Sequence, residues 1–314
     1  MELTGIASYL VSFLTFAGIY AVLALGLNMQ WGFTGQFNIG VAGFFAVGAY
    51  TSAILTTPSS PDYLGGFGMP FLVGLAGAII ASTLLGLVVG LITARLRTDY
   101  LAIASIGIAE MVRLFVKNEG WLTNGVRGIA GIDRPMADTA LASPFAYLVI
   151  VVLFVAGVYV LVERAYGSPW GRVLRAIREN EPATAAAGKS IASFRLQAFV
   201  LGSAIMGLGG GLYAHFFGFL SPEAFMPLYG TFLVWVMLIA GGSGNNRGAI
   251  LGAIVVWGVW SGTALLTDLL PTEHATQAAA LRVLLIGVLL QVILVLRPEG
   301  ILPEKPPRLT SRKR

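Results

Sequence analysis

The groups able to bind or react lie in three places. The run Asn28-Met29-Gln30-Trp31-Gly32-Phe33-Thr34-Gly35-Gln36-Phe37-Asn38-Ile39-Gly40 sets three glycines and four amides between two apolar stretches. Glu110 and Arg113 stand at i, i+3, where one helical turn lets them pair and lowers the cost of both in an apolar medium. The polar stretch from Glu163 to Arg195 carries Arg172, Arg175 and Arg178 at three-residue spacing, followed by Glu179 and Glu181. None of these is a set of reacting groups. The sequence holds no HExxH pair, no nucleophile elbow and no clustered intramembrane carboxylates, so a membrane enzyme has no residues to name. With no cysteine, thiolate metal sites and cysteine nucleophiles are excluded. His215 and His274 lack ligand-spaced partners. We read His215 as a hydrogen-bonded core residue and His274 as an exposed loop residue.

One motif is misleading. Ala183-Thr184-Ala185-Ala186-Ala187-Gly188-Lys189-Ser190 nearly fits the phosphate-binding P-loop. A P-loop follows a strand and wraps phosphates with glycine-rich backbone. This stretch is alanine-rich, and Ala183 stands where the first glycine belongs. No nucleotide-binding domain fits within the loop that holds it.

The elements that position these groups follow from composition. The chain has 314 residues, 56% of them apolar and only 11% charged, against about 25% in an ordinary soluble domain. Mean hydropathy is +0.81. So few charges cannot clothe the surface of a soluble fold, and the 40 glycines suit helices packed in lipid. A helix crossing the ~30 Å hydrocarbon core needs about 20 apolar residues. Nine runs qualify: Tyr9–Leu27, Ile39–Leu55, Pro70–Leu91, Tyr100–Val116, Pro144–Val162, Leu196–Leu220, Pro227–Ala240, Ala249–Leu270 and Ala280–Leu296. Two are weak, Pro227–Ala240 by its length and Tyr100–Val116 by its two charges. The fold class expected is all-α, a polytopic helical bundle of about 8–10 transmembrane helices forming one transmembrane domain over 1–314. The first run is preceded by no basic residue and reads as a retained span.

Charge orients the bundle. With the N-terminus outside, fifteen of the twenty basic residues fall in inner segments, so the positive-inside rule places the C-terminus inside too. The basic tail at 297–314, ending Ser311-Arg312-Lys313-Arg314, then reads as an anchor near anionic lipid. The strong basic balance is a matter of topology, and a nucleic-acid role is improbable.

Glycine pairs Gly86/Gly90 and Gly207/Gly211, and the row Gly244, Gly248, Gly252, have the spacing that lets helix backbones approach closely in lipid. The Asn28–Gly40 run allows two readings. It is either an ordinary turn, or a break at membrane depth, which is tolerated only where it is buried in protein or lines a cavity. Candidates for a translocation path are therefore Gly35, Gln36, Asn38, Gly40, Glu110 and Arg113, with a locked ion pair as the plainer reading of the last two. In the 163–195 loop, Ser168 can cap a helix with Pro169 in its first position, and Pro182 breaks or restarts it. Trp170, Val173, Leu174 and Ile177 make that helix amphipathic, suited to lipid headgroups or to a groove on a soluble partner.

Several stretches together carry a family resemblance. They are Gly32–Gly40 with Gly48-Ala49-Tyr50; Leu96-Arg97-Thr98-Asp99-Tyr100-Leu101-Ala102-Ile103-Ala104 through Glu110 and Arg113; Gly171-Arg172 through Glu181; and Leu296-Arg297-Pro298-Glu299-Gly300. In their order and combination the chain resembles the permease subunits of branched-chain amino acid ABC importers, of the LivM type. The resemblance implies a transport subunit of the bacterial inner membrane, working beside a second, LivH-type permease. It also implies two cytoplasmic P-loop ATPases and an extracytoplasmic binding protein. ATP and magnesium would be used by the ATPases, and this chain would bind no cofactor and no metal. Under the same resemblance the loop from Ser168 to Gly188 is the ATPase-coupling segment, with Arg172, Arg175, Arg178, Glu179, Glu181 and Gly188 as its contacts. Lys189 and Asn245-Asn246-Arg247 depart from the family's pattern. Cargo remains open at this level, since urea, short amides or aromatic carboxylates would need the same machine. A self-contained secondary transporter or channel is the alternative of a different class.

Overall fold

The computed structural model describes residues 2–61, 63–93, 98–135, 143–267 and 275–304. Within them the chain is mostly helical: α1 (Glu2–Thr34), α2 (Val41–Thr56), α3 (Phe71–Thr93), α4 (Thr98–Asn118), the single turn α5 (Gly120–Thr123), α6 (Pro144–Gly167), α7 (Pro169–Glu179), α8 (Glu181–Ala186), α9 (Ile191–Phe217), α10 (Leu233–Gly241), α11 (Asn246–Thr267) and α12 (Ala275–Leu296). Each of the nine apolar runs corresponds to one helix. By length and composition α3, α6, α9 and the stretch Gly5–Thr34 of α1 can each cross a membrane. A π-helical turn, Leu228–Phe232, leads into α10. Arg95, Arg97, His274 and the tail beyond Glu304 lie outside the described residues.

Two helices form the axis of the bundle. α1 packs on α9, α11, α6 and α10, and α9 packs in turn on α3 and α2. Glycine sets their separation. Gly26 on α1 and Gly202 on α9 each lie against the other's carbonyl, and a Cβ on Gly48 of α2 would overlap the backbone of Gly207. Gly86 and Gly90 of α3 lie against Ser203, Leu196 and Phe199, while Gly248 and Gly252 of α11 lie against the backbone of Gly241 and Met237. The glycine rows are seams of close helix contact. Gly244 is the exception, since it sits in the turn before α11 with φ +82°.

The bundle has two distinct ends. At one, β1 (Ile129–Ala130) pairs antiparallel with β2 (Phe219–Leu220), tying the segment after α4 to the segment after α9. His215 is buried beside this tie, within 3.1 Å of Ser52 Oγ and 2.7 Å of the Asp133 carbonyl. At the other end lie α7 and α8. This is the end that the positive-inside rule leads one to expect inside, here called the inner end.

Gly48→Val should force α2 off α9 and lower the melting temperature of the detergent-solubilised protein, with a cost of about 1–3 kcal/mol expected for overpacking a close seam. A melting point equal to that of the unmodified chain would show the seam to be loose.

Candidate functional site

The Asn28–Gly40 run resolves into a helix end and a break. α1 extends seven residues past the end of its apolar run at Leu27, so Asn28 and Gln30 are helical and fully buried. Gly35 then turns the chain with φ +70°, a conformation that costs a glycine little. Residues 35–40 run without helix until Val41 starts α2. Gln36 lies level with Arg195 near the start of α9, whereas Phe44 in the first turn of α2 already packs on Phe199. The break therefore climbs inside the bundle.

Buried irregular backbone needs internal partners, and here they come from side chains. The Ile39 N–H donates to Ser105 Oγ on α4 (2.9 Å), and the Gly40 N–H donates to Asn38 Oδ1 (2.7 Å). The Asn38 carbonyl accepts from Trp235 Nε1 on α10 (2.9 Å), and the Ala42 N–H donates to Thr231 Oγ1 in the π-helical turn (3.1 Å). Asn38 Nδ2 donates to Gln30 Oε1 (2.7 Å), while Gln30 Nε2 donates to the Phe199 carbonyl (2.8 Å) and to Ser203 Oγ (3.2 Å) on α9. Gln36 Nε2 donates to the Arg195 carbonyl (3.0 Å). Three of the four amides of the run, Gln30, Gln36 and Asn38, are thus a frame for the break, and Gln36, Asn38 and Gly40 take part as residues of one network.

At the inner end, Ser168 caps α7 by accepting from the Gly171 N–H (3.2 Å), with Pro169 following it. Asn180 caps α8 by accepting from the Ala183 N–H (3.0 Å). The P-loop-like residues Ala183–Ala186 are helical and follow another helix instead of a strand. Leu174 and Ile177 of α7 are buried, Arg172 and Glu179 are exposed, and Arg175 lies over the Tyr166 ring at 4.0 Å. Three-residue steps drift about 60° backward around a helix each time, so Arg178 does not share the face of Arg172. It turns inward. Its guanidinium donates to the Gly32 carbonyl near the end of α1 and to Glu304 Oε2 (2.7 Å). Desolvation opposes the Arg178 charge, but Glu179 and Glu304 outweigh it and its pKa is raised. Tyr166 donates to the other oxygen of Glu304 (2.7 Å). Glu304 is held in place by the chain before it, because the N–H groups of Ile301 and Leu302 donate to the carbonyls of Ala240 and Gly241 (both 2.9 Å). Glu181 pairs with Arg195 (2.9 Å), and Gly188 adopts φ +77° at the close of the loop.

Nearby, Asn28 Nδ2 donates to Asn246 Oδ1 (2.9 Å), and Asn246 Nδ2 donates to Glu163 Oε2 (2.8 Å). The polar turn Asn245-Asn246-Arg247 therefore joins α1 to α6. Glu110 and Arg113 stand apart from this inner site. Arg113 Nε donates to Glu110 Oε2 (2.9 Å), and Glu223, just before the π-helical turn, lies 3.9 Å from Arg113 and 3.1 Å from Lys117. Sequence spacing could give the Glu110–Arg113 pair, but not Glu223 or Glu304, whose partners are more than a hundred residues away in the chain. Among the described residues no group of three or more His, Cys, Asp or Glu is placed to hold a metal ion.

Glu304→Gln should remove the charge opposite Arg178 while keeping the shape. The expected cost is about 1–3 kcal/mol for a charge-assisted bond, seen as a lower melting temperature that Glu304→Asp restores in part. Equal melting of Gln and unmodified chains would show that the pair contributes nothing.

Residues 9–294 match the family model described as branched-chain amino acid transport system / permease component. The high-affinity branched-chain amino acid transport system permease protein LivM of Escherichia coli K12 is 31% identical, over 95% of this chain and 71% of its own length. The probable branched-chain amino acid transport permease protein LivM of Methanocaldococcus jannaschii is also 31% identical, over 92% of each chain. The permease protein LivH of Escherichia coli K12 is 24% identical over 92% of each. No solved structure matches the chain.

Proposed function

The chain belongs to the family of branched-chain amino acid transport permeases, and from that premise we propose that it is the LivM-type membrane subunit of an ATP-driven importer. It is a multi-pass membrane protein and a transport subunit, not a catalyst. The cargo class that fits is leucine, isoleucine and valine, because the relatives' own names state it and the relatives of both LivM and LivH type agree.

The observation that supports a coupling role is the build of α7. Leu174 and Ile177 hold it on the bundle, while Arg172 and Glu179 remain on its exposed side and Glu181 begins the next short helix. An exposed, capped, charged helix at the inner end suits docking to a soluble ATPase. In this reading the partners are two P-loop ATPases, which hold the ATP and magnesium, a second permease of LivH type and an extracytoplasmic binding protein. Arg172, Arg175, Glu179, Glu181 and Gly188 serve the docking face, and Arg178 connects that face to α1. The N-terminus lies outside and the C-terminus inside, in one domain over 1–314. Coupling requires that the loop bind the open and closed ATPases with different affinity, since equal affinity would shift nothing.

The test is ATP-dependent uptake of labelled leucine by proteoliposomes holding this chain with a LivH-type permease, ATPases and binding protein. Isoleucine should compete, and urea and benzoate should not. Arg172→Glu should cut uptake and ligand-stimulated ATP hydrolysis together, by roughly tenfold if about 1.4 kcal/mol of docking is lost. Competition by urea or benzoate alone would replace the cargo. Full coupling in Arg172→Glu would remove α7 from the docking surface.

A further inference from the structure

The face of α4 that carries the ion pair continues into a cavity. Ile106, Glu110, Arg113 and Lys117 follow one another at steps of four, three and four residues and so make one stripe along the helix. The upper part of the stripe meets Glu223. The lower part, Ile106, lines a groove of about 370 Å³ whose other walls are Phe37 and Ile39 of the break, Leu228, Phe232 and Trp235. That volume falls within the usual range for small-molecule sites.

The groove presents only apolar atoms, for a specific reason. Thr231 and Trp235 both line it, yet Thr231 Oγ1 is engaged by the Ala42 N–H and Trp235 Nε1 by the Asn38 carbonyl. Their polar atoms are committed to the break and their carbon surfaces face the cavity. Along the stripe from this apolar space, Glu110 stands about one helical turn away, Arg113 about two and Lys117 about three, and with Glu223 they form a mixed cluster of two carboxylates and two cations. Glu110, Lys117 and Glu223 keep more than a third of their side-chain surface accessible.

A ligand complementary to this arrangement carries an ammonium and a carboxylate at one end and a compact branched hydrocarbon at the other. We propose that the stripe and groove between α4 and α10 form a transient cargo site, with Glu110 or Glu223 receiving the ammonium, Arg113 the carboxylate, and the groove the side chain. This rests on the importer reading and gives it a location. Cations and carboxylates already paired with each other suit a passing ligand, because each leaving charge of the ligand is replaced by the neighbour it displaced. Residues 37 and 39 make the floor, so the break is part of the wall the cargo touches.

The chain has no cysteine, which makes the site addressable. Ile106→Cys and Phe232→Cys, both at exposed side chains, would be placed separately in the full importer in nanodiscs, where millimolar ligand reaches both faces without the binding protein. Maleimide labelling would be timed with leucine, with 4-methylpentanoate, which lacks the ammonium, and with isopentylamine, which lacks the carboxylate. Leucine should slow labelling at both positions, about threefold at twice its dissociation constant, and the two single-charge analogues should not. Equal protection by either analogue, or none by leucine, would overturn the site. So would a groove unreactive to maleimide in the absence of ligand, which would mean the second permease seals it. Leucine uptake by the unmodified importer, run alongside, separates the two levels. Uptake without protection overturns the site alone, whereas no uptake overturns the importer reading and the site that rests on it.

Discussion

A backbone that leaves its helix inside an apolar bundle must find a partner for every N–H and C=O it releases, because hydrocarbon offers none. Residues 35–40 impose that constraint, and much of the rest of the structure answers it. Ser105 fixes where α4 passes, Thr231 and Trp235 fix the π-helical turn and α10, and Gln30 fixes the register of α1 against α9. Each of these side chains is spent on the break. Their burial costs little because each is satisfied, and their removal would strand polar backbone. The close glycine seams have the same origin in part, since α2 can lie beside the break only if Gly48 lets it approach α9.

The inner end is joined to this region by a short route. Arg178 reaches from α7 to the Gly32 carbonyl, and Gly35 follows three residues later, with its missing Cβ position 3.5 Å from the Arg178 stem. The same guanidinium meets Glu304, which the backbone bonds of Ile301 and Leu302 tie to the end of α10. A movement of α7 would thus bear on α1 and on α10 together, and both of these helices bond to Asn38 of the break. The segment after α12 is a clamp across them.

Most of the fold was legible because lipid imposes a simple rule on composition, and each long apolar run is a helix. The end of α1 was not. Asn28 and Gln30 look like the start of a turn to any reading by hydropathy, and only their tertiary partners on α9 and α11 keep that stretch helical. The amides and glycines of the run were recognisable as exceptional, yet choosing between turn and buried break required knowing what surrounds them. The arginines of α7 show what spacing alone leaves out. Three-residue steps drift around the helix, so Arg172 stays exposed while Arg178 turns toward Gly32 and Glu304. Glu223 and Glu304 carried no signal at all, since a lone carboxylate in a loop acquires meaning only from a cation that folding brings to it.

The brevity of α2 has an electrostatic consequence. Its sixteen residues rise about 24 Å, short of a ~30 Å hydrocarbon core, and the chain before it turns on itself, with the Asn38 N–H donating to the Gln36 carbonyl (3.0 Å). The helix therefore starts within the bundle instead of at its end. Its first-turn N–H groups carry the positive end of a helix dipole, and at that depth little solvent screens them. The break thus places a fixed positive partial charge in the apolar interior.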